Sequence, residues 1–84
     1  DPEFGIAHFN LGNAYTSLDN LDKARESYKN ALSGDINFLS LHWSLHDIYT
    51  RQGNRSEAKR ELEVILEMDP ENLKAKNKLK ELSR

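Results

Sequence analysis

One short sequence pattern occurs twice in the chain, 34 residues apart. HFNLGNAY spans residues 8–15 and HWSLHDIY spans residues 42–49. The two copies share His, Leu and Tyr at the same places, and Phe9 of the first copy corresponds to Trp43 of the second. Self-similarity at a fixed period of about 20–50 residues is typical of repeat proteins, in which each unit buries its apolar face against a neighbour.

Apolar residues in both copies recur at the spacing of an amphipathic helix. The first helix of each copy carries Ala7, Leu11, Ala14, Tyr15 and Leu18, and then Leu41, Leu45, Ile48 and Tyr49. The second helix of each copy carries Leu21, Ala24, Tyr28, Ala31 and Leu32, and then Ala58, Leu62, Ile65 and Leu66. Asp22 and Ser56 are predicted to cap the second helices. Asp69-Pro70-Glu71 is predicted to open a fifth helix, with the stripe Ala75, Leu79 and Leu82.

These residues resemble the tetratricopeptide repeat family, whose unit is a helix-turn-helix of 34 residues. In the first copy the resemblance is carried by L-G-x-x-Y at Leu11, Gly12 and Tyr15 and by Ala24, Tyr28 and Ala31. In the second copy it is carried by Leu45, Tyr49, Gly53, Ala58, Leu62 and Asp69-Pro70. It implies an all-α fold of five helices, with antiparallel helix-turn-helix repeats stacked as a short right-handed superhelix, an α-solenoid. The predicted divisions are a cloning remnant at residues 1–4, repeats at 5–38 and 39–72, and a capping helix at 73–84, in one domain overall.

His46 departs from the family pattern. It stands where the family usually has a small residue, and Gly12 obeys that rule in the first copy. Because a small residue lets the paired helices approach closely, an imidazole at this position is expected to spread the helix pair or to turn outward.

The cluster HWSLHDIY contains residue types found in active sites. His42 and His46 are four residues apart on one helix face, as zinc ligands can be, but Trp43 stands where a metalloprotease needs its glutamate. Ser44, His42 and Asp47 point in different directions around the helix and cannot form a triad. The sequence therefore predicts no enzyme, and no catalytic, cofactor-binding or metal-binding residues.

Phe9 and Trp43 break the apolar stripe. On a helix of 3.6 residues per turn each lies about 200° from the stripe leucine two residues later, so neither is expected to face its own second helix. The family resemblance implies that this other face lines a concave groove that binds a peptide or a partner helix. The alternative is that the two rings pack between successive repeats. The predicted groove residues are Phe9, Asn13, Thr16, Ser17, Ser40, Trp43, Asp47, Thr50, Arg51, Lys74, Asn77 and Lys78.

The charge of the groove is predicted to be mixed. Residues 73–84 hold five basic residues and one acid, whereas the whole chain has a net charge of -2. Some members of the family bind acidic chaperone C-termini through a clamp of lysines, asparagines and arginine. Asn13 and Lys74 match that clamp and Lys78 keeps its charge, but Phe9 and Ser44 replace two of its members. The expected partner is a protein segment with an apolar anchor and acidic flanks.

Bulk properties exclude other function classes. The negative net charge argues against nucleic-acid binding, and no stretch approaches the ~18 apolar residues of a membrane span. The chain has no cysteine, which leaves its compartment open. Two further functions remain alternatives to groove binding. One is self-association, such as a homodimer, through the exposed repeat ends, and the other is a regulatory or targeting role in a larger enzyme.

Overall fold

A computed structural model describes residues 2–34 and 37–83, and these residues form helices joined by short turns, with no strand among them. The helices are α1 (Pro2–Ser17), α2 (Leu21–Ser33), α3 (Leu39–Arg51), α4 (Arg55–Met68) and α5 (Leu73–Leu82). The all-α class and the five helices predicted from the sequence are confirmed. None of the helices in these ranges combines the length and the apolar character that crossing a membrane requires. The predicted cloning remnant at residues 1–4 includes the start of α1 at Pro2.

The chain divides into two compact units, Asp1–Leu41 and His42–Arg84, and the boundary falls inside α3. The first unit contains the α1–α2 hairpin. The second contains most of α3 together with α4 and α5.

Asparagines cap three helices. The Oδ1 atoms of Asn20, Asn54 and Asn72 accept hydrogen bonds from the backbone N–H groups of Lys23, Glu57 and Ala75. The prediction that Asp22 and Ser56 are the caps is therefore wrong by two residues. The turn decides the outcome: Asp19 and Gly53, which occupy the same repeat position, both adopt a positive φ, of 60° and 72°. This left-handed residue reverses the chain one residue before each asparagine.

The fifth helix also begins later than predicted. Asp69 is the C-cap of α4, and its backbone N–H donates to the carbonyl of Ile65 at 2.8 Å. Pro70 and Glu71 lie in the turn, and α5 starts at Leu73 behind its cap Asn72. The Asp69-Pro70-Glu71 prediction was wrong because Asp69 ends one helix instead of opening the next.

The first unit packs α1 on α2 through a glycine. A Cβ atom placed on Gly12 would lie 2.5 Å from Cε1 of Tyr28, so the tyrosine ring lies directly against the α1 backbone. Tyr28, Ala24 and Ala31 of α2 are buried, whereas Leu11 and Leu18 of the predicted α1 stripe are 42% and 75% exposed. The face of α1 that meets α2 is thus centred on Gly12, and the predicted leucine stripe largely faces solvent.

The second unit buries polar groups beside its apolar core. Leu62 and Ile65 of α4 are fully buried, and so is Ala75 of α5. His46 is also buried, and its Nδ1 lies 3.1 Å from the carbonyl oxygen of Ala58. The imidazole therefore turns inward, not outward. The physical reason is an exchange of volumes, because Leu62 occupies the repeat position of the larger Tyr28.

Candidate functional site

Trp43 joins α3 to α5 within the second unit. Its ring is half-buried and meets the His46 ring edge to face, with centroids 5.7 Å apart and an interplanar angle of 87°. The Nζ atom of Lys74 lies 4.7 Å from the indole centroid, which is within the range of a cation–π interaction. Because His46 is itself fixed to the Ala58 carbonyl, the indole is held from two sides.

Further charged side chains follow Trp43 on α3 and Lys74 on α5. One turn after Trp43, the Asp47 carboxylate pairs with Arg51 at 3.2 Å, and both side chains are about half exposed. On α5, Lys78 follows Lys74 by one turn and is half-buried. We call Trp43, Asp47, Arg51, Lys74 and Lys78 the indole surface. It carries three cations and one carboxylate, a net charge of +2.

Two predicted groove residues of this unit have other roles. The Thr50 hydroxyl donates to the carbonyl of His46 at 2.8 Å, so it is used by its own helix. Asn77 is exposed and lines a shallow depression with Leu66 and Leu79, between α4 and α5.

Phe9 of the first unit packs against its own second helix. Its ring centroid lies 5.9 Å from that of Tyr28 and 5.7 Å from that of Phe38, and the side chain is half-buried. The expectation that Phe9 faces away from α2 is therefore wrong. A tyrosine is long enough to reach across the helix pair, and Gly12 leaves its ring open to Phe9.

Two of the polar residues near Phe9 contact the hydroxyl of the same tyrosine, Tyr28. The Tyr28 hydroxyl donates to Oδ1 of Asn13 at 2.6 Å and lies 3.2 Å from Oγ1 of Thr16. The Ser17 hydroxyl donates to the carbonyl of Asn13, and Ser40 is exposed in the first turn of α3. Asn13 and Thr16 thus support the hairpin from its edge, and Asn13, Ser17 and Ser40 remain exposed.

Sequence reasoning missed a buried hydrogen-bonding contact at His42. Its Nδ1 lies 2.9 Å from Oε1 of Glu61, and both residues are buried. A carboxylate can only accept a hydrogen bond, so the His42 tautomer with its hydrogen on Nδ1 is the one that suits this contact. A signal was available, because Glu61 lies three residues after Ala58 and four before Ile65, on the core face of α4.

The contacts of His42 and His46 also bear on the possibility that these two residues bind a metal ion. Both Nδ1 atoms are engaged inside the unit, one with Glu61 and one with Ala58. Across residues 2–34 and 37–83, no three side chains of the metal-binding types come together.

The helix arrangement indicates the structural class of the protein. Short helices paired in hairpins, with a sequence pattern repeated after 34 residues, are those of a helical-repeat protein. The model of the tetratricopeptide repeat family matches residues 5–33. No curated protein sequence matches the chain significantly.

The fold is shared along the whole chain. Among 28 chains of solved structures with a significant match is one described as the first TPR of Spaghetti (RPAP3) bound to the HSP90 peptide SRMEEVD. Its TM-score is 0.60 at 20% identity, and the match covers 99% of this chain and 93% of that one. The family model thus covers the first hairpin, and the chain shares the fold of a tetratricopeptide domain, as the sequence predicted.

Proposed function

We propose that this protein is a non-catalytic interaction module that holds a peptide or a partner helix on the indole surface. The observation that carries this proposal is the half-buried Trp43 ring with the Lys74 ammonium 4.7 Å from its centroid. A rigid aromatic group beside a flexible cation offers an apolar contact and a charge at the same place.

The energetics of binding favour this residue type. Tryptophan is enriched among the residues that carry most of the binding energy at interfaces, since it brings large apolar area with few rotatable bonds. The contact with His46 fixes the indole before a partner arrives, which lowers the entropy that binding must remove.

The charges of the indole surface favour an acidic partner. Arg51, Lys74 and Lys78 outnumber Asp47, and a complementary partner would place carboxylates beside them. The peptide named with the RPAP3 domain, SRMEEVD, has the same character, with an apolar methionine followed by acidic residues. We therefore propose an apolar anchor with acidic flanks for the partner of this chain as well.

The first unit has exposed polar groups of its own. Asn13, Ser17 and Ser40 supply hydrogen-bonding atoms, and Thr16 and Phe9 hold the adjoining part of the hairpin. In the second unit, the exposed residues Thr50 and Asn77 directly precede Arg51 and Lys78 of the indole surface in the sequence. Their share of the binding energy is expected to be small beside that of Trp43.

Fluorescence anisotropy of labelled peptides tests the proposal. A peptide with a central leucine and glutamate flanks should bind, and it should weaken when the leucine becomes alanine or the glutamates become glutamine. Trp43→Ala should weaken binding by at least about tenfold, the usual consequence of removing a central aromatic anchor. Trp43→Phe should lose less.

Circular dichroism on each variant separates binding from folding. Helix content of Trp43→Ala should stay near that of the wild type, because the ring is only half-buried. Equal peptide affinity for the wild type and a folded Trp43→Ala would contradict the proposal.

Self-association is the second candidate function, and the exposed apolar side chains of α1 and of the turn after it favour it. Ile6, Leu11 and Leu18 are 43%, 42% and 75% exposed. A concentration series by light scattering should show a dimer that Leu11→Asp dissociates while helix content is kept. A mass that stays monomeric over the whole series would exclude this candidate.

A further inference from the structure

One face of α5 is open to solvent in the part of the chain that the structure describes. A depression of about 420 Å³ lies beside it, between α4 and α5. Leu66 of α4 forms one wall, and the α5 wall includes Leu73, Lys76, Asn77, Lys80 and Ser83. All five α5 residues of that wall are exposed, and Leu73 is 68% exposed.

These α5 residues hold the repeat positions with which α1 meets α2. Two periods of 34 residues before them lie Gly5, His8, Phe9, Gly12 and Tyr15. The Phe9 ring contacts that of Tyr28 on α2, and a Cβ atom at Gly12 would lie 2.5 Å from the same tyrosine. The Cα of Gly5 lies 2.9 Å from the place of a Cβ atom at Gly34, which ends α2. This face of α1 is therefore the one that α2 covers.

The second unit covers the same positions of α3 with α4. His42 and His46 lie one period before Lys76 and Lys80. The Nδ1 atom of His42 lies 2.9 Å from Oε1 of Glu61, and that of His46 lies 3.1 Å from a backbone carbonyl oxygen of α4. Both histidines are buried, whereas both lysines are exposed. A second helix thus covers this face in each hairpin, and the face of α5 is ready for a helix in the same place.

We propose that this face, which we call the α5 groove, binds an amphipathic helix of a partner protein that carries carboxylates beside its apolar stripe. The equivalent faces of α1 and α3 indicate that the ligand is a helix. The two lysines indicate its charge, because acidic side chains complement them. Lys76 holds the position from which His42 meets Glu61, so a glutamate at the matching place of the partner helix would face the Lys76 ammonium.

Both lysines can accept an incoming carboxylate. Lys76 lies 3.4 Å from Glu71, but their side chains are 44% and 91% exposed, so solvent screens this pair and a partner can replace it. The ammonium of Lys80 forms no ion pair within residues 2–34 and 37–83. The aliphatic stems of both lysines extend the apolar wall that Leu73 begins.

The α5 groove is separate from the indole surface. Lys76 and Lys80 each follow a lysine of the indole surface by two residues, which turns them about 200° around the helix. The proposal therefore does not rest on the function proposed above, and the two sites can be tested independently.

Fluorescence anisotropy with a designed helical peptide tests the proposal. The peptide carries alanine, glutamate, leucine and isoleucine at the spacing of Ala58, Glu61, Leu62 and Ile65, because α4 covers the equivalent face of α3. It should bind saturably, and Leu73→Asp should weaken it at least about tenfold, the size expected for losing a buried leucine. An acid in the first turn suits a helix, so this variant should keep its helix content. Equal affinity for the wild type and a folded Leu73→Asp would overturn the proposal.

Charge reversal tests the two lysines. The double variant of Lys76→Glu with Lys80→Glu should weaken the peptide at least about fivefold and should prefer a peptide with lysine in place of the glutamate. In about 0.15 M salt, the controls Lys74→Glu and Trp43→Ala should leave the affinity within about twofold. An affinity that follows these two controls instead would place the peptide on the indole surface and overturn the proposal.

Amide NMR and light scattering separate the remaining outcomes. The amides of Asn77, Lys80 and Ser83 should shift on binding, while those of Ala58 and Glu61 should stay in place. Shifts of the Ala58 and Glu61 amides would mean that the peptide displaces α4, which would contradict docking on α5. A dimer of the chain that the double lysine variant dissociates would assign the groove to a second copy and contradict a different protein.

Discussion

The two hairpins fill the same helix crossing with opposite residues. In the first, Gly12 of α1 leaves room for the ring of Tyr28, and a Cβ atom at Gly12 would lie 2.5 Å from that ring. In the second, His46 stands at the glycine position and Leu62 at the tyrosine position. The large side chain has moved from the second helix to the first. A repeat therefore constrains the summed volume at this crossing more strongly than it constrains either residue.

A second exchange concerns a polar group instead of volume. The Nδ1 atom of His42 bonds to Glu61 inside its own unit, whereas that of His8 has no hydrogen-bond partner among residues 2–34 and 37–83. The second repeat therefore supplies a hydrogen-bond partner for its histidine from its own second helix, and Ser27 does not do so in the first repeat. The difference teaches that a single residue of the second helix decides whether this histidine nitrogen has a hydrogen-bond partner within its own unit.

Placing the histidine of the second hairpin at the glycine position of the first should have the largest effect on stability. Gly12→His alone should destabilise the protein by about 3 kcal/mol or more, because the new Cβ collides with a buried ring. Adding Tyr28→Leu should recover part of that loss by restoring the combination of the second hairpin. Urea unfolding of both variants, with exposed Ala14→His as the control on the same helix, measures the recovery. A double variant less stable than Gly12→His would refute the volume exchange.

Giving the second hairpin the first one's polar arrangement should have the next largest effect. Glu61→Ser leaves the buried His42 without its carboxylate and should cost about 1–3 kcal/mol. Thermal unfolding measures the loss, and Glu63→Ser, at an exposed position two residues later, should change stability little. Equal melting temperatures for the two variants would mean that the buried pair contributes nothing.

Trp43 differs from its repeat counterpart Phe9 in its contact with a cation, Lys74. The ring contacts described for Phe9 are with other aromatic rings. A double-mutant cycle of Trp43→Leu with Lys74→Met should give a coupling of about 0.5–1 kcal/mol. The matched cycle with Lys80→Met should give none, because Lys80 lies six residues after Lys74 and on another side of α5. Similar coupling in both cycles would show that the ammonium does not act through the ring.

The smallest effect is expected at Asp47 and Arg51, whose repeat counterparts Asn13 and Ser17 are uncharged. Their side chains are about half exposed, so solvent screens the pair, and Arg51→Met should cost only about 0.3–0.5 kcal/mol. Repeating the unfolding measurement in about 1 M NaCl should reduce that difference further. A loss above 1 kcal/mol would mean that Arg51 has a packing role.

The period predicted the architecture because it depends on many residues at once. Errors at single positions do not change a 34-residue repeat, so helix number and order could be read from the sequence. Helix ends depend on one residue each, and Asp22 was as plausible a cap as Asn20 until the positive φ of Asp19 fixed the turn. Local chemistry alone could not choose between them.

The site was less predictable because it depends on pairs of residues from different helices. The angle of Phe9 on α1 is fixed by helix geometry, but its contact with α2 follows from the length of Tyr28. The inward turn of His46 likewise depends on Leu62 and on the Ala58 carbonyl. The pairing of His42 could have been found from Glu61, a charged residue at core spacing.

Amide and indole NMR mapping with the acidic, leucine-anchored peptide tests the central claim most directly. Trp43 is the only tryptophan in the chain, so its indole N–H signal belongs to one site. The account predicts a saturable shift of that signal, together with the amides of Asp47, Lys74 and Lys78. A peptide that binds while the indole signal stays unmoved would contradict it.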